Sequence, residues 1–162
     1  MKLRIIFPLI VIGFCAIVQG KAIFQKLERS AFYAAIRSGK VEEINNELNV
    51  IGSSTGYQKD AFEGTLLMCK AGLVKIPAEK LKLFKEGRIK LEIVLSKDST
   101  NAEYRFMRLI IQEHAPKIVK YNKQLAADKL YIQKMFKGLS PAVQQAITDY
   151  SKDSKVLRPQ DL

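Results

Sequence analysis

The sequence has few of the residues on which catalytic, metal-binding and disulfide-stabilised proteins most often depend. Its 162 residues include no Trp, two Cys and a single histidine, His114. One histidine cannot supply the usual His-rich zinc site, and the H-E-x-x-H spacing is absent. Five Pro and nine Gly exclude collagen-like and proline-rich architectures. We therefore expect neither a metal nor a cofactor.

The composition that remains is typical of one globular domain. Hydrophobic residues make up 48% of the chain and charged residues 27%, which is too apolar for a mostly disordered protein. A chain of this length buries about 70% of its unfolded surface, so it needs no metal or disulfide for stability. The loop around Gly52–Gly56 is rich in Gly and Ser but has no P-loop lysine. Composition thus predicts a domain and no activity.

The first twenty residues have the pattern of a secretory signal peptide. Lys2 and Arg4 precede the apolar run Ile5–Val18, and Val18 and Gly20 are the small residues expected before a cleavage site. We predict cleavage after Gly20 and a periplasmic or secreted protein. The alternatives are an uncleaved N-terminal membrane anchor and a lipoprotein modified at Cys15. After cleavage, Cys69 would be the lone cysteine and no internal disulfide would form.

Helix start and stop signals divide the mature chain into six or seven short helices. Convincing period-two alternation and hairpin dipeptides such as Asn-Gly are absent. Thr100 and Glu103 have the spacing of a capping box before the fifth helix. The sequence predicts a single all-α domain over 21–150, packed as helical hairpins, and a polar tail at 151–162 that frays. The predicted helices cover about 30–37, 41–48, 58–71, 77–95, 101–114, 123–137 and 141–150.

One stretch of about 35 residues resembles a tetratricopeptide (TPR) repeat. Gly87, Leu91 and Val94 lie where the second helix of such a repeat packs tightly, and the turn from Lys97 to Glu103 is similar to the turn between repeats. The pattern departs from the family at Arg108 and Leu109, where a TPR helix has an apolar and then a small residue. The whole chain also resembles an uncharacterised family of small exported bacterial proteins. These resemblances imply a TPR-like fold and an exported location, with an irregular helical bundle as the alternative.

Positive charge is concentrated in the middle of the chain. The net charge is +11, and residues 70–137 hold sixteen Lys and Arg against seven Asp and Glu. Such a segment attracts anionic partners over about 8–10 Å at physiological salt. Anionic lipid, acidic polysaccharide and an acidic protein segment are the candidate partners, whereas export makes nucleic acid an unlikely one. The basic surface residues are Lys80, Lys82, Lys85, Lys90, Lys117 and Lys120.

The fifth predicted helix carries a more specific pattern. Arg105, Arg108 and Gln112 align on one face of a helix that is otherwise apolar, with Tyr121 as a possible neighbour. Two guanidinium groups and an amide favour binding of a carboxylate or phosphate, and on a TPR-like scaffold this helix would line the peptide groove. The structural alternative is that both arginines pair with carboxylates of neighbouring helices.

Conventional catalytic groups have little support in the sequence. Cys69 lies in the apolar stretch Leu66–Cys69, which predicts a buried, unreactive thiol. His114 ends the fifth helix, where a donor suits the last carbonyl groups. We therefore predict a non-catalytic exported domain that binds an envelope protein or peptide. The alternatives are a peripheral binder of anionic lipid or polysaccharide and an enzyme whose dispersed site requires a pocket near His114.

Overall fold

A computed structural model describes residues 28–162 of the chain. The predicted signal peptide, its cleavage site and Cys15 lie outside the described residues. Within 28–162 the fold is all-α, with no strand, as the absence of period-two patterning predicts. Short 3₁₀ turns follow α5, follow α6 and end the chain. The helices are α1 Arg29–Ser38, α2 Val41–Gly52, α3 Lys59–Leu73, α4 Pro77–Lys97, α5 Ala102–His114, α6 Leu125–Met135 and α7 Pro141–Ser151.

The closest helix pair is the hairpin of α3 and α4, which cross at two glycines. A Cβ atom on Gly64 would lie 2.5 Å from the carbonyl oxygen of Gly87, so only glycine allows this approach. Leu91 and Val94 are buried farther along α4. The tight packing predicted at Gly87, Leu91 and Val94 therefore occurs in the hairpin of α3 and α4. Gly64, which lies against Gly87 at the crossing, was not predicted.

Helix α5 lies at the centre of the domain, as predicted from the apolar side chains that cover much of its circumference. Phe106, Met107 and Leu109 are fully buried in the main core. The helix contacts α3, α4 and α6, while α7 packs back against α1. Since neighbours surround α5, its polar stripe of Arg105, Arg108 and Gln112 also meets other parts of the protein rather than open solvent.

The start of α5 differs from the predicted capping box. The N-cap residue is Asn101, whose side-chain oxygen accepts hydrogen bonds from the amides of Glu103 and Tyr104 at 3.0 and 3.2 Å. Thr100 instead donates to Asp98, and the Glu103 carboxylate pairs with Arg29 at 2.8 Å. The predicted box was wrong because an asparagine one position later caps equally well and releases Glu103 for a tertiary contact.

The C-terminal residues also differ from the frayed tail that their polarity predicts. Leu157 is fully buried, and Ser154 donates to the Glu113 carboxylate at 2.6 Å. Lys129 on α6 pairs with Asp161 at 2.8 Å. One buried leucine and a few polar contacts therefore hold residues 152–162 against α5 and α6.

Across residues 28–162, none of the helices combines the length and the apolar character needed to cross a bilayer.

Candidate functional site: an apolar cleft between the odd-numbered helices

A concave cleft of about 730 Å³ lies between α1, α3, α5 and α7, with the start of α4 along one side. Its volume falls in the range of ligand-binding pockets, roughly 300–1,000 Å³. Most of its lining is hydrocarbon or aromatic. The residues that form the floor and inner walls are Ile36, Met68, Phe84, Phe106, Ile110 and Tyr150.

The cleft exists because the apolar face of α4 extends beyond the core. The sequence places Leu81, Phe84, Leu91 and Leu95 on one face of this helix. Leu91 and Leu95 are buried by α3 and α5, but Leu81 is 50% exposed and lines the cleft. A shared helical face therefore does not mean equal burial, since no helix of the described chain covers the first turns of α4 on that side.

Exposed apolar residues continue from the cleft onto the surface around its mouth. Leu73 lines the cleft at the end of α3 and is partly exposed, and Ile76 precedes the first residue of α4. Ile118 is 86% exposed and lies next to Val119, another lining residue. Single exposed apolar residues are ordinary, but several at the mouth of one apolar cleft mark a binding surface.

Charged groups around the mouth differ between its two sides. The side formed by α4 and the α5–α6 connection carries Lys80, which lines the cleft, and Lys117 and Lys120, which adjoin the lining residues Pro116 and Val119 along the chain. All three lysines are exposed and have no ion pair among the described residues. The side formed by α7 carries Asp149 and Asp153. We call these two sides the lysine rim and the α7 rim.

The arginine stripe of α5 lies outside this cleft and forms an internal ion network. Arg108 is 8% exposed and donates to both oxygens of Asp128 on α6, at 2.7 and 2.8 Å. Arg105 contacts the same carboxylate at 3.2 Å and stacks over Tyr131 at 4.3 Å. Asp128 itself is 0% exposed. The arrangement therefore matches the structural alternative, in which both arginines pair with carboxylates of neighbouring helices.

A second carboxylate extends this network toward α4. Glu92 accepts from Arg108 at 3.1 Å and from the Tyr121 hydroxyl at 2.5 Å. Burial lowers the pKa of Arg108, but its hydrogen bond to Asp128 and the nearby negative charges outweigh burial and raise it. Burial and the Glu92 carboxylate together raise the pKa of Tyr121. Arg108 therefore stays charged, and its guanidinium is bound within the protein.

Gln112 is the least satisfied member of the predicted set. Its amide nitrogen donates to the Gln124 side chain at 3.0 Å, while its buried oxygen has no hydrogen-bond partner among the described residues. The structure therefore brings Arg105, Arg108 and Tyr121 together through two carboxylates and places Gln112 beside a different partner. None of these four residues lines the cleft.

The predicted lysine surface divides into free and paired members. Lys80, Lys82, Lys85, Lys117 and Lys120 are exposed. Lys90 is half-buried and forms ion pairs with Glu63 at 3.2 Å and Asp60 at 3.6 Å, so its charge is used in joining α3 to α4.

Two groups considered for catalysis do meet in the cleft. Cys69 and His114 both line it, but no hydrogen bond joins them. Burial raises the pKa of the Cys69 thiol to about 12, so the reactive thiolate is scarce near neutral pH. The Nδ1 atom of His114 contacts the Ile110 carbonyl oxygen at 2.9 Å, which matches a helix-end role.

The carboxylates near His114 are held by hydrogen bonds. Burial raises the pKa of Glu113, but hydrogen bonds from Ser154, Tyr150 and the Lys155 amide outweigh this and lower it. Hydrogen bonds from Lys152 and Arg37 lower the pKa of Asp149. Both groups therefore stay ionised near neutral pH, unlike a general acid, whose pKa is raised. No cluster of three His, Cys, Asp or Glu side chains placed to hold a metal ion occurs over 28–162.

Comparisons of the chain with protein-family models, with curated proteins and with solved structures gave no match. The resemblances to the TPR repeat and to an exported family therefore stay predictions, and the site must be interpreted from its own geometry.

Sequence reasoning missed most of the apolar residues that line the cleft, since each resembles an ordinary core residue. One signal was present in the segment from Leu73 to Leu81, where Leu73, Val74, Ile76 and Leu81 follow one another within nine residues. A turn and a helix start need fewer apolar side chains than this. Such an excess indicates a surface that the helix hairpin alone does not bury.

Proposed function

We propose that the protein is a non-catalytic exported domain that holds an apolar segment of an envelope protein or peptide in its cleft. The observation that carries the proposal is the half-exposed Leu81, which continues the apolar face of α4 into an open cleft of about 730 Å³. Covering such a surface gains about 25 cal/mol for each Å² of apolar area removed from water. A partner segment supplies the cover that the described helices lack.

The TPR-like interpretation supports the same proposal. In a stack of helical hairpins the first helix of each pair faces the concave side, and α1, α3, α5 and α7 all contribute to the cleft. The concave surface is where such scaffolds bind their partners. The contacting groups are the apolar residues of these helices and of the start of α4, in place of the arginine stripe expected from the sequence.

Two leucines provide a matched test. Leu81 lines the cleft at 50% exposure, while Leu130 is 67% exposed on α6 and lies outside it. Each Leu→Gln change removes exposed apolar surface with little cost to stability. The wild type and the Leu130→Gln variant should capture the same protein from an envelope extract, whereas the Leu81→Gln variant should lose it.

A peptide from the captured protein must then reproduce the interaction. Its apolar segment should bind the purified chain directly, with the negative heat-capacity change that accompanies burial of apolar surface. Equal binding by both leucine variants would contradict the proposal, because an exposed leucine outside the cleft would then matter as much as one inside it.

A second function has a specific observation in its favour, namely peripheral binding to anionic lipid. Lys117 and Lys120 flank the highly exposed Ile118, an arrangement suited to a membrane surface. Lys82 and Lys85 would extend the same basic face along α4. Binding by such diffuse charge is lost as salt rises, whereas binding in an apolar cleft keeps a salt-resistant part. Cosedimentation with anionic vesicles at low and high salt distinguishes the two.

The enzymatic alternative has less support from the geometry. The thiol of Cys69 is protonated near neutral pH, and His114 contacts a backbone carbonyl group instead of a nucleophile. Nucleophilic catalysis needs a base within hydrogen-bond reach of the attacking atom.

A further inference from the structure

The dimensions of the cleft restrict the shape of its partner. Its floor follows α5 from Phe106 to Ala115, which is roughly 14 Å along the helix axis at 1.5 Å per residue. A helical segment of that length and about 10 Å in diameter occupies roughly 1,100 Å³. The cleft of about 730 Å³ therefore accommodates one face of two to three helical turns and leaves the other face in solvent.

A half-covered helix must be amphipathic. Its buried face meets Ile36, Phe84 and Ile110, so apolar side chains at i, i+3, i+4 and i+7 match the cleft. Its flanks lie along the two rims, where the charged side chains of this chain are found. The rims therefore determine which charges the flanks carry.

The lysine rim has unused positive charge, whereas the α7 rim is largely neutralised. Lys80, Lys117 and Lys120 form no ion pair within the described range. On the α7 rim, Asp149 is bound by Arg37 and by Lys152, each at 2.7 Å. A partner thus gains most from charge complementarity by placing carboxylates along the lysine rim.

Resting on the proposed function, we infer that the cleft binds an amphipathic helical segment with an acidic flank, and that this flank lies against Lys80, Lys117 and Lys120. A flat anionic bilayer fits less well, because it would meet both rims and face the Asp153 carboxylate, which has no ion pair among the described residues, as well as the lysines. A helix seated between the rims places its negative charges on one side only.

Three synthetic peptides test the inference against the purified full-length chain. They share one apolar helical face of Leu residues and have fourteen positions in total, roughly 21 Å as a helix at 1.5 Å per residue, so each peptide extends past both ends of the floor of roughly 14 Å. Their flank residues are Glu in the first peptide, Gln in the second and Lys in the third. Binding is measured by fluorescence anisotropy at low and high salt.

Two sets of lysine variants localise the charge effect. The rim variant is Lys80→Gln/Lys117→Gln/Lys120→Gln. The matched control is Lys123→Gln/Lys134→Gln/Lys137→Gln, which removes the same charge from exposed lysines in and beside α6, outside the cleft. Long-range charge effects act similarly in both variants, so the difference between them measures contact at the rim.

We expect the Glu peptide to bind the wild type about tenfold more tightly than the Gln peptide, since tenfold corresponds to about 1.4 kcal/mol and three exposed charge pairs together supply that much. The rim variant should remove this ratio and the α6 variant should keep it. The Gln peptide should bind both variants equally and should lose affinity for the Leu81→Gln variant.

Several results would overturn the inference, and they differ from failure of the proposed function. Equal binding of the Glu and Gln peptides, or tightest binding of the Lys peptide, would refute the acidic flank and leave the apolar cleft intact. Failure of all three peptides would refute the proposed function as well. Vesicles of phosphatidylglycerol bound in place of every peptide would replace both with a lipid-binding surface.

Discussion

The buried ion network of α5 predicts a large and specific loss of stability when Asp128 is changed. Asp128 is 0% exposed and accepts three hydrogen bonds from Arg105 and Arg108. The Asp128→Asn substitution keeps the shape of the side chain but leaves the buried Arg108 guanidinium with Glu92 as its remaining charged partner. Arg105 loses less, because it is more exposed and stacks on Tyr131.

Removing one partner of a buried pair costs about 3–5 kcal/mol, because a desolvated charge is left without compensation. The free energy of unfolding of a whole domain is only about 5–15 kcal/mol, so this single change removes a large part of the stability. Asp153→Asn is the matched control. Asp153 is exposed and has no ion pair in the described chain, so its substitution should alter stability by less than about 0.5 kcal/mol.

The assay is urea unfolding followed by far-ultraviolet circular dichroism, with the free energy of unfolding obtained by linear extrapolation. A double variant, Arg108→Met/Asp128→Leu, completes the test. Replacing both charges by apolar groups is often neutral or stabilising, so the double variant should recover most of what Asp128→Asn loses. A loss under about 1 kcal/mol for Asp128→Asn, or no recovery in the double variant, would refute the assignment of Arg108 to the core.

Three further predictions concern the helix crossing, the C-terminal residues and the thiol. Gly64→Ala should lower the free energy of unfolding in urea by about 1–3 kcal/mol, because the added Cβ atom collides with the Gly87 carbonyl oxygen. In the control Gly72→Ala the added Cβ atom has no neighbour within 4 Å, so this change should stabilise the end of α3 by up to about 1 kcal/mol. The folded pKa of Glu113 lies below its unfolded value, so the ionised carboxylate stabilises the folded state above the unfolded pKa, and this stabilisation is lost as pH falls through the folded pKa. The difference in unfolding free energy between wild type and Glu113→Gln should therefore narrow as the solution is acidified, and a constant difference would contradict this. Because the thiol pKa of Cys69 is about 12, this residue should react with iodoacetamide about a hundredfold or more slowly than a free cysteine at mildly alkaline pH. Rapid alkylation of the folded chain would contradict the burial of the thiol.

Local signals in the sequence predicted most of the helices because each depends on neighbouring residues. Pro77 and Pro141 occupy first helical positions, and α5 ends at His114 as predicted. The observed helix boundaries differ from the predicted ones where local signals compete. Helix α2 continues through Gly52 into the predicted loop, and α6 begins at Leu125, two residues later than expected.

The candidate site was less predictable because it depends on which apolar side chains are left uncovered when the helices pack together. Leu81 and Leu91 are equivalent in the helical pattern of α4, yet one lies at the cleft and the other is fully buried. Similarly, Arg108 has the same donor groups whether it faces a ligand or Asp128, which is twenty residues away in sequence. Periodicity identifies a face of a helix but not the neighbour that covers it.

Residue type and short-range spacing are enough to predict the all-α class and the order of the helices. They also predict the central position of α5 and the concentration of positive charge in residues 70–137. Only the tertiary structure decided that Asp128 neutralises the arginine stripe and that the apolar face of α4 opens into a cleft. The physical reason is that burial and ion pairing are properties of residue pairs distant along the chain. Their outcome depends on how α3, α5, α6 and α7 are arranged around one another.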